Sequence, residues 1–262
     1  MIFLIMINNR INLDNKSAVV LHYYHYRNTS LIVNFFVSDF GKVSAIARGV
    51  KGKKTKQNQF ALLQPFQQLN ISLTGRQELL ILKNIESTSV NWKLSGKSLY
   101  CAYYLNELLL RLLPSHSDCQ QIFSLYDNIL TLLSHDAAEL SDTDSRQQPA
   151  INYEIPLRIF ELKLLEFLGY GLNLSHEIET GLLIEADKQY YYVIDAGPCY
   201  IKPLDNNYCP VSGCTLIDLN NLQFSDRKTL HESKQLLKWA LAGHLGDKPL
   251  KSREMFKQLY CL

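Results

Sequence analysis

Apolar residues recur along the first third of the chain as short β-branched and aromatic runs of strand length. Ala18-Val19-Val20-Leu21 and Leu31-Ile32-Val33-Asn34-Phe35-Phe36-Val37 are two of them. Val43 to Ala47 follows an Asp39-Phe40-Gly41 turn, and Leu69 to Leu73 comes next. A Thr74-Gly75-Arg76 turn then leads into Glu78 to Ile85. About five short strands joined by tight turns over residues 17–86 predict a small closed barrel.

After Trp92 the period changes. Ser98 to Leu113 spaces Leu105, Leu108, Leu109 and Leu112 as one helix face and stops at Pro114. Cys119 to Leu133 does the same with Ile122, Tyr126, Ile129, Leu130 and Leu133. His135 to Pro149 is polar and acidic and reads as a loop. Pro156 to Leu168 is a third amphipathic helix, with Pro156 near its first turn and Gly169 as its stop. The chain is extended again from Ile184 to Ile201, then rich in Pro and Asn to Pro210. Asp226 to Ala242 and Leu250 to Leu259 read as closing helices. The expected fold is therefore α+β. Residues 1–90 are expected to form an N-terminal β-barrel, and 91–262 a mainly α-helical domain with a short extended insertion around 184–201.

Composition sharpens this picture in two places. Hydrophobic residues are 47% of the 262, enough for a sizeable core. The apolar stretch Met1 to Ile7 is too short for a membrane span or a signal core and lacks a cleavage site. It reads as a first strand, or as an upstream extension if translation begins at Met6. A cytoplasmic protein without membrane partners is expected. The six cysteines, Cys101, Cys119, Cys199, Cys209, Cys214 and Cys261, are too dispersed for a disulfide framework.

Charge changes the picture more. The formal net charge is only +2, but it is segmented. Gly41 to Gln77 holds seven basic residues and no acidic one, leaving 20 basic against 25 acidic elsewhere. Glu107 to Asp195 has five basic and fifteen acidic residues, and Asp226 to Leu262 eight and four. The first quarter of the chain is the place for a polyanion.

Its centre is Ala47-Arg48-Gly49-Val50-Lys51-Gly52-Lys53-Lys54-Thr55-Lys56, a glycine- and lysine-rich loop between strands. Lysines that neutralise phosphates release counterions, which makes binding steeply salt-dependent. Single-strand binders built on barrels add aromatic faces worth ~1–3 kcal/mol per stacked base. Tyr23, Tyr24, Tyr26, Phe60 and Phe66 are placed either for that work or for the barrel core.

Other chemistry is thinly represented. Cys209-Pro-Val-Ser-Gly-Cys214 sits at the outer limit of zinc spacing without a second pair, so these read as ordinary loop cysteines rather than metal ligands. His22 and His25, three apart on a strand, point to opposite faces. No Gly-x-Ser-x-Gly elbow or phosphate-binding Gly-Lys-Ser/Thr loop is present. The sequence points to no enzyme, no cofactor and no metal.

Several ordered stretches resemble the RecO family of recombination mediators. Ala18-Val19-Val20-Leu21-His22 and Tyr26-Arg27-Asn28-Thr29-Ser30-Leu31 are similar to its opening strand and turn, with Asn28 where the family usually carries an acid. Gly41-Lys42-Val43, Ala47-Arg48-Gly49, Gln64-Pro65-Phe66-Gln67-Gln68-Leu69 and Gly75-Arg76-Gln77-Glu78-Leu79 continue the match through the barrel. Tyr104-Leu105-Asn106-Glu107-Leu108-Leu109, Leu157-Arg158-Ile159-Phe160-Glu161, Leu168-Gly169-Tyr170-Gly171 and Lys248-Pro249-Leu250-Lys251-Ser252-Arg253-Glu254-Met255-Phe256 extend it to the C-terminal end, in the manner of proteobacterial members. The absence of Cys-x-x-Cys pairs sets this chain apart from the zinc-bearing ones.

The resemblance implies that the N-terminal barrel is an OB-fold, followed by the helical domain, and that the protein is a DNA repair and homologous recombination mediator, expected to be monomeric. It would bind single-stranded and double-stranded DNA and anneal strands coated by the single-strand-binding protein SSB. With RecR it would assist loading of RecA. The residues expected to contact DNA are Arg27, Lys42, Arg48, Lys51, Lys53, Lys54, Lys56 and Arg76. The acidic SSB tail would sit in an apolar groove with a basic rim, for which Arg158 is the candidate. Helical spacing equally allows Arg158 to pair with Glu154 or Glu161. A generic OB-fold RNA-binding or translation accessory protein, and a scaffold binding protein through its barrel, are the alternatives.

Overall fold

The computed structural model describes residues 10–50, 57–76, 79–139, 153–204, 207–224 and 226–260. Met1 to Ile7 and the lysine cluster Lys51, Lys53, Lys54 and Lys56 lie outside the described residues.

Five strands close a barrel in the order β1–β2–β3–β5–β4: β1 (Ile11–Tyr26), β2 (Ser30–Val37), β3 (Gly41–Ala47), β4 (Gln68–Gly75) and β5 (Leu79–Ser87). A short helix, α1 (Gln57–Leu62), lies between β3 and β4. Ser44–Leu79, Ala45–Leu80 and Ile46–Ile81 join β3 and β5 in parallel, and every other barrel pairing is antiparallel. Alternation selects the core: Leu31, Val33 and Phe35 of β2 face Val43, Ala45 and Ala47 of β3, with Ile71, Leu73 and Leu80 behind them. β1 is longer than its apolar run suggests. Its register shifts between Leu13 and Lys16, where Asn15 takes a φ of 48°.

Helices α2 (Gly96–Leu112) and α3 (Gln120–Glu139) cover one outer side of the barrel. Phe36, which points out of β2, meets the rings of Phe123 and Tyr126 at 5.0 and 5.9 Å. The Tyr126 hydroxyl donates to Asn106 Oδ1, and Asn106 Nδ2 donates to the Leu21 carbonyl at 2.8 Å. This buried chain of polar atoms links α3 to α2 to β1. Gly41, at the start of β3, has a φ of +75°, and a Cβ there would come within 2.6 Å of the Pro114 carbonyl. The polar residues 135–139, expected in a loop, continue α3.

A second compact unit, Pro149–Pro249, contains α4 (Glu154–Phe167), a small antiparallel sheet, α5 (Gly213–Asn220) and α6 (Arg227–Leu245). The sheet, ordered β7–β6–β8, is made of β6 (Gln189–Val193), β7 (Gly197–Cys199) and β8 (Cys209–Ser212). Cys209 and Cys214, expected in a loop, open β8 and sit in the first turn of α5. Gly213 is required there, because a Cβ would lie 1.9 Å from the Glu185 carbonyl. Glu232 of α6 accepts from Ser212 N, Ser212 Oγ and Thr215 Oγ1 at 2.9, 2.6 and 2.7 Å, tying the start of α5 to α6. Burial works against its charge, but these donors outweigh it and hold the carboxyl below its ordinary pKa.

The chain then enters α7 (Lys251–Tyr260), which belongs with the barrel, α2 and α3 in the first compact unit. Glu107 of α2 caps α7, accepting from Lys251 N and Ser252 N at 2.9 Å each and from Ser252 Oγ at 2.6 Å. The change from strand to helix thus falls between Ser87 and Gly96, while compactness groups α2, α3 and α7 with the barrel. No described helix is long and apolar enough to cross a membrane.

Candidate nucleic-acid interface

On the barrel side not named in the core, cross-strand register assembles a surface. Tyr24 pairs with Ile32, Ile32 with Ile46, and Ile46 with Ile81, so one residue from each of four strands forms a row. Their chain neighbours Leu31, Val33, Ala45, Ala47 and Leu80 fill the core, so alternation turns the row outward. Tyr24 is 55% exposed, and the isoleucines are half-buried. A second row, His22–Asn34–Ser44–Leu79, runs beside it, with Ser44 Oγ donating to Asn34 Oδ1 at 2.7 Å. Faces of this kind on strands 2 and 3, with the loops that rim them, are where OB barrels bind oligonucleotides.

Two expected DNA residues gather at one end of this face. Leu31 pairs with Ala47, which brings the end of β3 to the β1–β2 turn. Arg27 in that turn and Arg48 just after β3 are both exposed. Arg27 adopts a φ of 51° and sets its guanidinium 5.2 Å from the Tyr26 ring centroid. In the sequence, Arg48 is followed closely by the lysine-rich stretch 51–56. Lys83 of β5 is exposed too, two residues beyond Ile81 on the same strand.

Arg76 is elsewhere. It follows β4, whose last residue Gly75 pairs with Ile11, the far end of β1 from the Arg27 turn. Exposed Arg10 accompanies it at that end, its Nε donating to Thr74 Oγ1 at 3.0 Å.

Two expected site residues are engaged within the fold. Lys42 is half-buried, and its Nζ donates to the Leu110 carbonyl at 2.8 Å, in the last turn of α2. Burial pulls its ammonium below the ordinary lysine pKa. Arg158 stands on no open rim. It is 4% exposed in α4, and its Nη2 donates to the buried Glu161 at 2.7 Å, the i,i+3 pairing that helical spacing allowed. Among the described residues, its Nε and Nη1 have no hydrogen-bond partner.

The aromatics divide. Tyr23 and Phe60 pack edge to face at 5.9 Å against the barrel core, and Phe66 is buried against Tyr103 at 4.9 Å. Tyr24 is the open ring, with half-buried Tyr26 beneath Arg27. Sequence reasoning passed over Lys83, Arg10 and the isoleucine row; the signal was the strict alternation of Ile32 and Ile46 with core residues. Among the described residues, no group of three or more His, Cys, Asp or Glu is arranged to hold a metal.

The fold and its outward face define a class: an OB-type barrel protein continued by a mainly helical C-terminal region. Two family models match the chain: "Recombination protein O N terminal" over residues 12–90 and "Recombination protein O C terminal" over 94–254. The chain is 43% identical over 244 residues to the DNA repair protein RecO of Nitrosococcus oceani, covering 93% of each chain. It is 39% identical over 253 residues to that of Dechloromonas aromatica, covering 96% of this chain and 98% of the relative. The same protein of Methylococcus capsulatus is 39% identical over 249 residues, covering 95% and 94%. The chain belongs to the Recombination protein O family.

Proposed function

We propose that this protein acts in DNA repair and recombination as a cytoplasmic, non-enzymatic mediator that binds single- and double-stranded DNA and anneals strands coated by SSB. The observation that carries the DNA reading is the outward row of Tyr24, Ile32, Ile46 and Ile81 ending at Arg27 and Arg48. A strand laid along it would stack bases on Tyr24 and the aliphatic row. Its phosphates would meet the two arginines and the lysines that follow in the chain. Neutralising two complementary strands on one protein lowers their mutual repulsion, which favours pairing.

Family membership supports the further roles: recognition of the SSB tail, and cooperation with RecR in loading RecA. For the tail, Arg158 stays the basic candidate, but its guanidinium is paired with Glu161 and would become reachable only if the surrounding side chains part.

The test is annealing of complementary SSB-coated strands by wild type and by a variant with Lys51, Lys53, Lys54 and Lys56 changed to glutamate. Wild type is expected to anneal while the variant, still folded, fails. Equal annealing by both would move the DNA surface elsewhere, and failure of both would remove the mediator role.

A further inference from the structure

The second compact unit displays an apolar surface that the barrel's chemistry does not use. Its residues come from two segments, with Ile178, Leu182 and Leu183 on one and Tyr200, Ile201 and Leu204 on the other. All six are exposed, from 40% at Ile178 to full exposure at Leu204. The segments are joined directly. Ile178 N donates to the Pro198 carbonyl at 3.0 Å, and Tyr200 N approaches Glu177 Oε1 at 3.4 Å. At Gly197 a Cβ would press on the Ile178 side chain at 2.8 Å, so the approach is close.

The presenting loop is held in shape by polar atoms beneath it. Glu177, 4% exposed, accepts from Thr180 N at 2.7 Å, Thr180 Oγ1 at 2.6 Å and Glu179 N at 3.1 Å. Those hydrogen bonds draw its carboxyl below the ordinary glutamate pKa even against burial. Gly181 N and Glu177 N close the turn on Glu177 O and Leu182 O at 2.9 Å each. Asn173 Oδ1 accepts from Ser175 N and His176 N at its base. A loop fixed by its own polar groups that still turns aliphatic side chains to water incurs a solvation cost with no internal return. Contiguous apolar surface of this kind marks an interaction site.

Charge selects the occupant. Residues 173–204 carry five acidic groups (Glu177, Glu179, Glu185, Asp187, Asp195) and two basic ones (Lys188, Lys202). Lys188 is paired to Glu185 at 2.7 Å and lies 5.5 Å from the Tyr200 ring, while Lys202 lies 5.6 Å from that of Tyr208. With Glu177 beneath the loop and Glu185 paired to Lys188, Glu179, Asp187 and Asp195 still outnumber Lys202 along these segments, a net negative charge that disfavours nucleic acid, anionic lipid and a second copy presenting the same patch. We propose that this surface docks a protein segment with aliphatic anchors flanked by lysine or arginine, an amphipathic helix read at i, i+3, i+4 and i+7. The barrel would then bind the polyanion while the second unit selects a cationic protein partner. The proposal is independent of the DNA reading.

The full chain, labelled with carbon-13 in its Ile and Leu methyl groups, tests this by NMR against three probes. They are a synthetic helix with leucines at those spacings and lysines elsewhere, the same helix with glutamates for lysines, and oligo(dT). The lysine helix is expected to shift the methyl signals of Ile178, Leu182, Leu183, Ile201 and Leu204. Its affinity should fall about tenfold or more in L182S/I201S, whose barrel methyl signals stay in place. Unmoved methyls with the lysine helix at millimolar concentration would overturn the proposal. So would equal binding of the glutamate helix, shifts of these same five residues' methyl signals caused by oligo(dT), or shifts that follow protein concentration alone.

Discussion

Lys42 and Arg48 sit six residues apart on the same basic stretch, yet the fold gives them different work. Lys42 spends its ammonium on a carbonyl in the last turn of α2, where the helix dipole favours a cation. Arg48 leaves β3 at the exposed end of the outward face. A neutral isostere separates the roles. Lys42→Met should lower stability by about 1 kcal/mol in urea unfolding and leave single-strand affinity unchanged, because it removes the charge and keeps the aliphatic stem. Arg48→Gln should leave the unfolding midpoint in place and weaken DNA binding. The reverse pattern would put Lys42 on the DNA surface. Arg158 makes the same point: its fate was set by Glu161 three residues on, within reach on one helix face, and by the burial of that face.

The joint between barrel and helices rests on a few buried polar atoms. Removing the Tyr126 hydroxyl takes from the buried Asn106 Oδ1 the donor it has there. Tyr126→Phe should therefore cost about 1–3 kcal/mol. Asn106→Ala should cost more, since it also strands the Leu21 carbonyl. Urea unfolding followed by barrel and helix probes checks both, and a change of less than about 0.5 kcal/mol for both would mean that packing alone holds the joint. Elements whose buried faces are long and regular were legible in the sequence. Leu31 to Val37 alternates cleanly, and Leu105, Leu108, Leu109 and Leu112 mark the α2 face. Elements lacking such a face were not. The first half of β1 is polar from Asn12 to Lys16 apart from Leu13, and α1 has too few residues to show a period. β8 and the start of α5 carry Pro210 and Gly213, local turn signals overridden by pairing with β6 and by Glu232. The site was half legible. Its basic residues stand out as a cluster, but which tyrosine faces water depends on register, and register is settled by strands distant in sequence.

Across the whole molecule, charge is the organising variable. Seven basic residues and no acid span 41–77, whereas the rest of the chain is acidic by 25 to 20. On the proposed DNA reading, Arg27, Arg48, Arg76 and the four lysines Lys51, Lys53, Lys54 and Lys56 would engage phosphate. Each phosphate neutralised on a single strand contributes about −0.7 to the slope of log affinity against log salt. Engagement of all seven would give a slope near −5, and changing the four lysines to glutamine should bring it to about −2. Arg76 is at the opposite end of β1 from Arg27, so the slope also reports how much of the barrel a strand covers. An oligonucleotide too short to span both ends should lose the Arg76 contribution, making its slope insensitive to Arg76→Gln, while a long strand should respond by about 0.7. Measuring affinity over a salt series for short and long oligo(dT), with wild type, the four-lysine variant and Arg76→Gln, tests the count and the path together. A slope near zero in wild type would remove phosphate from the barrel altogether, leaving the outward isoleucine row as a surface for protein.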